Sequence, residues 1–289
     1  MDPITGRAYA KLNVFLRVLG RRDDGFHEIQ TLVMPVSLHD VVTVSPADVT
    51  SVKVGGPRSG DLDRAGGESL CARAVTVFER VAGVMAPVAI RIDKRIPVGA
   101  GMGGGSADAA AVLRALATMH GLDPAGLLDA SASIGSDVPA LLHGGPVIAE
   151  GRGERLIPVH AVTTHWVVVP QPFGVSTPDA YAWWDEDPRT GPDPGALIAA
   201  VETGNIDVLA SALSDDLEAG VARRHPEVDI ARAALLEAGA AGVVMTGSGP
   251  TVVGLAAHLG IADRVALALP DALVTSGPPA TMDRPSGVV

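Results

Sequence analysis

The chain has 289 residues, 47% of them hydrophobic, and carries 33 acidic against 22 basic side chains, a net charge of −11 at pH 7. That length predicts two domains or one large α/β domain. The acidity argues against a nucleic-acid surface, and no run of ~18 uninterrupted apolar residues offers a membrane span. The apolar run at 12–19 is interrupted by Asn13 and Arg17 and does not read as a signal peptide. Cys71 stands alone, which excludes an internal disulfide and a cysteine metal cluster. These properties describe a soluble cytoplasmic chain.

From Leu12 the apolar residues alternate through Val14, Leu16 and Val18, predicting a strand with one buried face. The same alternation places Tyr9, Lys11 and Asn13 on the opposite face, where the two polar groups can share a cleft. Two strands are expected within 41–54, an amphipathic helix over 68–81 and a strand at 88–92. A glycine-rich segment then opens a helix over 107–119, and a second helix is expected near 127–134. A hairpin over 147–159 turns at Gly151, Arg152 and Gly153.

A second unit is expected to begin near His160, dividing the chain into 1–158 and 159–289. It holds a buried strand at 166–169 and a helix capped by Thr177 with Pro178 at its first position. Further helices are expected at 196–202 and 227–238. A strand, a tight loop at Gly247, Ser248, Gly249 and Pro250, and another strand follow within 242–255. The tail from Ser276 is rich in Pro, Gly and Ser and is expected to fray.

The segment Pro97, Val98, Gly99, Ala100, Gly101, Met102, Gly103, Gly104, Gly105, Ser106, Ala107 carries most of the functional information. Glycines so dense imply that something approaches the backbone closely. The helix start behind them presents unpaired N–H groups and the positive end of its dipole, an anion cradle suited to phosphate. A P-loop would need a lysine after Gly105, and none follows. A dinucleotide fingerprint fits Gly99, Gly101 and Gly104 by letter, but the acid due ~20 positions later should end a strand. Asp123 lies in a turn instead.

The segment from Pro97 to Ser106 resembles the second motif of the GHMP kinases, small-molecule kinases that bind ATP through a long glycine loop. Ala10, Lys11, Leu12 and Asn13 resemble the family's first motif, and Thr246, Gly247, Ser248, Gly249, Pro250 and Thr251 its third. The resemblance spans residues 7 to roughly 255. It implies an α+β fold of two domains, an N-terminal ribosomal-protein-like α/β domain and a C-terminal ferredoxin-like domain, with the active site in the cleft between them. Gly25, Phe26, His27 and Glu28, with Gly135, Ser136, Asp137, Val138 and Pro139, match the branch whose acceptor is a CDP-linked alcohol. Homoserine-type or mevalonate-type kinases, or a catalytically silent sensor on the same fold, are the alternatives.

The resemblance implies that residues 97–107 bind ATP, that Asp137 is the general base, and that Lys11 activates the acceptor hydroxyl. It places Phe26 and Tyr181 around a cytosine, with His27 on its edge, and Asn13 and Thr177 along the rest of the acceptor. Residues alone would read Asp137 as a helix cap and Tyr181 as a core residue. Ser106 is expected to cap the cradle helix and is the candidate ligand for Mg²⁺ arriving with ATP. Asp108 and Asp216 stand where asparagine is common in the family, and a charge facing the phosphates would weaken nucleotide affinity. Small-molecule substrates, no nucleic acid, no membrane, and a monomer or homodimer complete the expectation.

Overall fold

The computed structural model describes residues 2–60 and 69–279. Its first sheet is organised by two long antiparallel strands, β1 (Ile4–Arg21) and β2 (His27–Pro46). β3 (Ser51–Gly55) and β4 (Val88–Asp93) extend the β2 edge, while the hairpin of β5 (Val147–Gly151) and β6 (Arg155–Pro158) pairs with the first half of β2. α1 (Leu70–Ala82), α2 (Gly104–Met119), α3 (Leu128–Ser131) and α4 (Val138–His143) accompany this sheet, with α2 packed on β1, β2, α1 and α4.

The second sheet begins with β7 (Thr164–Val169). The helical segment that follows holds α5 (Thr177–Asp185), α6 (Gly195–Thr203), α7 (Ile206–Ala212), α8 (Glu218–Ala222) and α9 (Glu227–Glu237). Within it the short β8 (Ser214–Asp215) crosses back to pair with β1 in the first sheet. β9 (Gly242–Met245), β10 (Val252–Ala256), α10 (Leu259–Leu267) and β11 (Leu273–Gly277) complete the second sheet, in the order β11-β7-β10-β9. Two β-α-β units joined by the β9–β10 pair, with every neighbouring strand antiparallel, form a ferredoxin-like sheet.

Several sequence expectations change. The strand expected to bury one face buries both between Ala8 and Leu16, because α2 covers one side and the 246–251 loop region the other. Register shifts between Tyr9 and Lys11 and between Asn13 and Phe15 bracket the two polar residues, and such bulges re-aim side chains. The expected helix near 127–134 is a 3₁₀ turn, Pro124–Leu127, followed by the single α-turn of α3. Ser176, not Thr177, caps α5, its hydroxyl accepting from the Asp179 amide, so Pro178 is the second helical residue rather than the first. Ser276 and Gly277, the first residues of the expected frayed tail, belong to the strand β11, held by Ser37 through Ser276 and by β7. Residues 280–289, like Glu68 at the start of the expected first helix, lie outside the described residues.

Candidate active site

The glycine segment folds as a sequence of left-handed turns: Gly99, Gly101 and Gly103 have φ of 71°, 69° and 68°. At Gly101 a Cβ would stand 2.7 Å from the Thr246 carbonyl oxygen, and at Gly103 it would stand 3.0 Å from Lys11 Cγ. Glycine is therefore required by both conformation and close approach. Ala100 and Met102, between these glycines, are buried and anchor the loop from beneath. The Lys11 amide donates to the Met102 carbonyl at 3.0 Å, tying the loop to β1.

Gly103 takes the N-cap position of α2, so Ser106 lies within the first turn and does not cap. Its Oγ faces Gly135, where an added Cβ would be 3.6 Å away, and the residue lines the cleft, its hydroxyl without a hydrogen bond among the described residues. The first turn of α2 therefore carries both the helix's unpaired amides and a hydroxyl that lines the cleft, groups suited to an anion with an attendant cation.

Lys11 is 4% exposed, and its ammonium donates to Asn13 Oδ1 and sits 3.7 Å from Asp137 Oδ2. Asn13 is held on three sides: its amide donates to Thr246 Oγ1 at 2.8 Å, and its Nδ2 donates to Thr31 Oγ1 at 2.8 Å. On the third side, a Cβ at Gly247 would stand 2.7 Å from its Oδ1. The Thr31 hydroxyl in turn donates to the Phe15 carbonyl at 2.6 Å. The chain Phe15–Thr31–Asn13–Lys11 leaves the lysine little freedom. Asp137 occupies the N-cap position of α4, yet its side chain caps nothing. It is 37% exposed at the cleft and pairs with Lys11, so the capping reading does not describe it.

A cleft of about 600 Å³ runs from Ser106, Lys11 and Asp137 to Phe26, His27, Thr177 and Tyr181. At its far end the His27 ring stacks on Tyr181, with centroids 4.7 Å apart and planes at 21°, and meets the edge of Trp184. His27 Nε2 bonds Asp185 Oδ1 at 2.8 Å. Burial raises the Tyr181 hydroxyl well above its ordinary range, with Asp215 and Asp137 adding to the shift. Phe26 is 52% exposed and has the Arg152 guanidinium 4.8 Å above its ring. Thr177, freed from capping, meets Ser248 across the cleft at 3.1 Å.

Sequence reasoning missed Thr31, Trp184, Asp185 and Arg152. Trp184 and Asp185 follow Tyr181 at helical i+3 and i+4 spacing, a usable signal. Thr31 reaches the site through strand pairing and left no local trace. The two suspect acids do not face the cradle. Asp108 is buried and holds Lys94 Nζ at 2.6 Å, with Asp40 holding the same ammonium at 2.7 Å. Burial pushes the Asp108 carboxyl up to about 7, against the pull of Lys94. Asp216 accepts from the Val18 amide at 2.7 Å and the Gly191 amide at 3.1 Å, a structural role.

Residues 69–145 match the GHMP kinases N terminal domain and residues 197–275 the GHMP kinases C terminal. A 4-diphosphocytidyl-2-C-methyl-D-erythritol kinase of Pelotomaculum thermopropionicum is 42% identical over 91% of this chain and 92% of its own length. The chain belongs to the GHMP kinase family. A kinase of the same name from Symbiobacterium thermophilum is 40% identical over 86% of this chain and 88% of its own. The crystal structure of a 4-(cytidine 5'-diphospho)-2C-methyl-D-erythritol kinase superposes with a TM-score of 0.79 at 35% identity, covering 96% of this chain and all of that one. A homoserine kinase from Cytophaga hutchinsonii shares the fold at TM-score 0.73 and 19% identity, over 96% of this chain and 95% of its own. Among the described residues no helix is long and apolar enough to cross a membrane, and no group of three His, Cys, Asp or Glu side chains is placed to hold a metal.

Proposed function

We infer that the chain transfers the γ-phosphoryl group of ATP to the 2-hydroxyl of 4-diphosphocytidyl-2-C-methyl-D-erythritol, giving the 2-phosphate and ADP in the non-mevalonate route to isoprenoid precursors. Near-full-length likeness to kinases of that name supports the substrate. The observation that carries the chemistry is the contact of Lys11 with Asp137, 3.7 Å apart, beside the first turn of α2.

In this reading residues 97–107 cradle the triphosphate with their amides and place the γ-phosphorus towards Lys11 and Asp137. Asp137 takes the proton of the acceptor hydroxyl as its oxygen bonds the γ-phosphorus and the bond to the β-phosphate oxygen breaks. Lys11, fixed by Asn13, offsets the charge that spreads over the moving phosphoryl group. Mg²⁺ travelling with ATP would find a ligand in the free Ser106 hydroxyl, where it neutralises phosphate charge. Phe26, His27 and Tyr181 hold the cytosine end; Asn13 and Thr177 line the path between. His27 already lies on one Tyr181 face, so the base meets a His27–Tyr181 pair rather than an isolated tyrosine ring. Residues 1–158 hold ATP and much of the acceptor, and 159–289 contribute Thr177 and Tyr181 to the acceptor side.

An ADP-release assay with three acceptors tests this reading. Turnover is expected with the CDP-linked alcohol, and neither the alcohol lacking CMP nor homoserine should support it. Homoserine turning over faster than the CDP-linked alcohol would overturn the reading.

A further inference from the structure

The cleft is lined by three cations, Lys11, Arg21 and Arg152, and two acids, Asp137 and Asp185. Lys11 is matched by Asp137, and Arg21 by Asp185 at 3.8 Å. Among the described residues the Arg152 guanidinium makes no hydrogen bond and no ion pair; it lies over the face of Phe26 and feels Asp24 only as a through-space attraction. Both nearby acids are already engaged. The Glu154 carboxylate accepts from the Arg152 backbone amide at 2.6 Å, and Asp24 is held by Arg22 and by the Phe26 amide.

The hairpin that carries Arg152 lies against the segment of Asp137. Gly151 and Gly153 have φ of 75° and 112°. A Cβ at Gly151 would strike the Glu154 carboxylate at 2.6 Å, and one at Gly153 would stand 3.3 Å from the carbonyl oxygen of Ser136, the residue before Asp137. The backbone is packed closely against Ser136, and the Arg152 side chain is exposed. A chain with net charge −11 thus presents at this cleft a cation that, among the described residues, is tied by no hydrogen bond or ion pair.

We propose that Arg152 is a binding residue for the diphosphate of the acceptor, leaving the face of Phe26 to grip phosphate oxygens as the nucleotide end enters. This rests on the functional reading above, which supplies an acceptor with a diphosphate. A guanidinium presents paired N–H donors matched to phosphate oxygens, whereas its stack on an exposed ring is a weak contact. Removing the planar donor pair while keeping the stem separates the two roles.

The test is calorimetric binding of CDP and of cytidine to the wild-type chain, Arg152→Met and Arg152→Lys. Wild type is expected to bind CDP about tenfold or more tightly than cytidine, a charge-assisted gain. Arg152→Met is expected to remove most of that preference and leave cytidine affinity within about twofold, with Arg152→Lys in between. Equal weakening of both ligands would mean that Arg152 acts only through Phe26, and unchanged CDP affinity would mean that it does not act; either overturns the proposal. Turnover of the CDP-linked alcohol by wild type tests the underlying reading separately. A wild-type chain that turns over the alcohol but binds CDP no better than cytidine refutes the Arg152 assignment alone.

Discussion

At the scale of single residues, the site depends on a buried ammonium whose partners are all short polar groups. Lys11 is one of three lysines in the chain and the one that meets Asp137. Loss of a positioned base or of a cation acting on the transferring group costs about 10²–10⁴-fold in turnover. Asp137→Asn and Lys11→Ala are each expected to lose kcat on that scale while circular dichroism stays unchanged. A folded Asp137→Asn with near-normal kcat would remove the base assignment. The second lysine of interest, Lys94, lies outside the cleft chemistry and locks α2 to β2 through Asp108 and Asp40. Because the Asp108 carboxyl is raised to about 7, the unfolded chain ionises first. The carboxyl's contribution is most favourable below about pH 4 and declines as pH rises to about 7. Asp108→Asn should remove that decline, shifting the difference in unfolding free energy between pH 5 and pH 8 by on the order of 2 kcal/mol in favour of the variant. Urea unfolding at the two pH values measures it, and an identical pH dependence in both chains would contradict the assignment.

At the scale of elements, α2 and α4, the helix that Asp137 precedes, pack together and are also bridged by a charged side chain. Arg114 of α2 donates through Nη2 to the Leu141 and Leu142 carbonyls at the end of α4. Burial lowers its pKa to about 10, so it remains charged at neutral pH beside the negative end of that helix. Arg114→Met leaves carbonyls without a charged donor and is expected to cost about 1–3 kcal/mol in urea unfolding. Because α4 begins at Asp137, kcat should fall more than the KM for ATP rises. A variant destabilised by that amount with wild-type kcat would show that α4 does not depend on Arg114 for its placement.

Local pattern made much of this architecture legible. The 3.6-residue spacing from Leu70 onward located α1, and the glycines at 151 and 153 located the hairpin. Where the sequence misled, longer-range contacts overrode local propensity. Ser106 is a good capping residue, yet Gly103 adopts the left-handed conformation and starts the helix earlier. The first half of β2 shows no clean alternation because it is covered on both sides, and β8 is a two-residue strand whose identity rests on its pairing with Phe15 and Leu16. Asn13 and Thr177 were visible as candidates through family motifs, whereas Thr31 and Asp185 entered the site through pairing and packing that no short segment encodes.

At the scale of the whole molecule, the two sheets are bound through the site itself. The glycine loop presses its Gly101 against the Thr246 and Gly249 carbonyls, Asn13 bonds Thr246, and β8 inserts a piece of the later half into the first sheet. Ser37 and Thr275 add a polar contact at the opposite end. The glycine loop, Asp137 and the cleft are therefore close together, and on the proposed reading phosphoryl transfer occurs between two ligands held at once. The ³¹P spectrum of the product formed from ATP and the CDP-linked alcohol tests this most directly. A new phosphomonoester resonance coupled to the alcohol's C2 position, with the diphosphate resonances intact and ADP formed in equal amount, is the predicted result. Free phosphate as the sole product of ATP turnover, or phosphorylation at another hydroxyl, would contradict it.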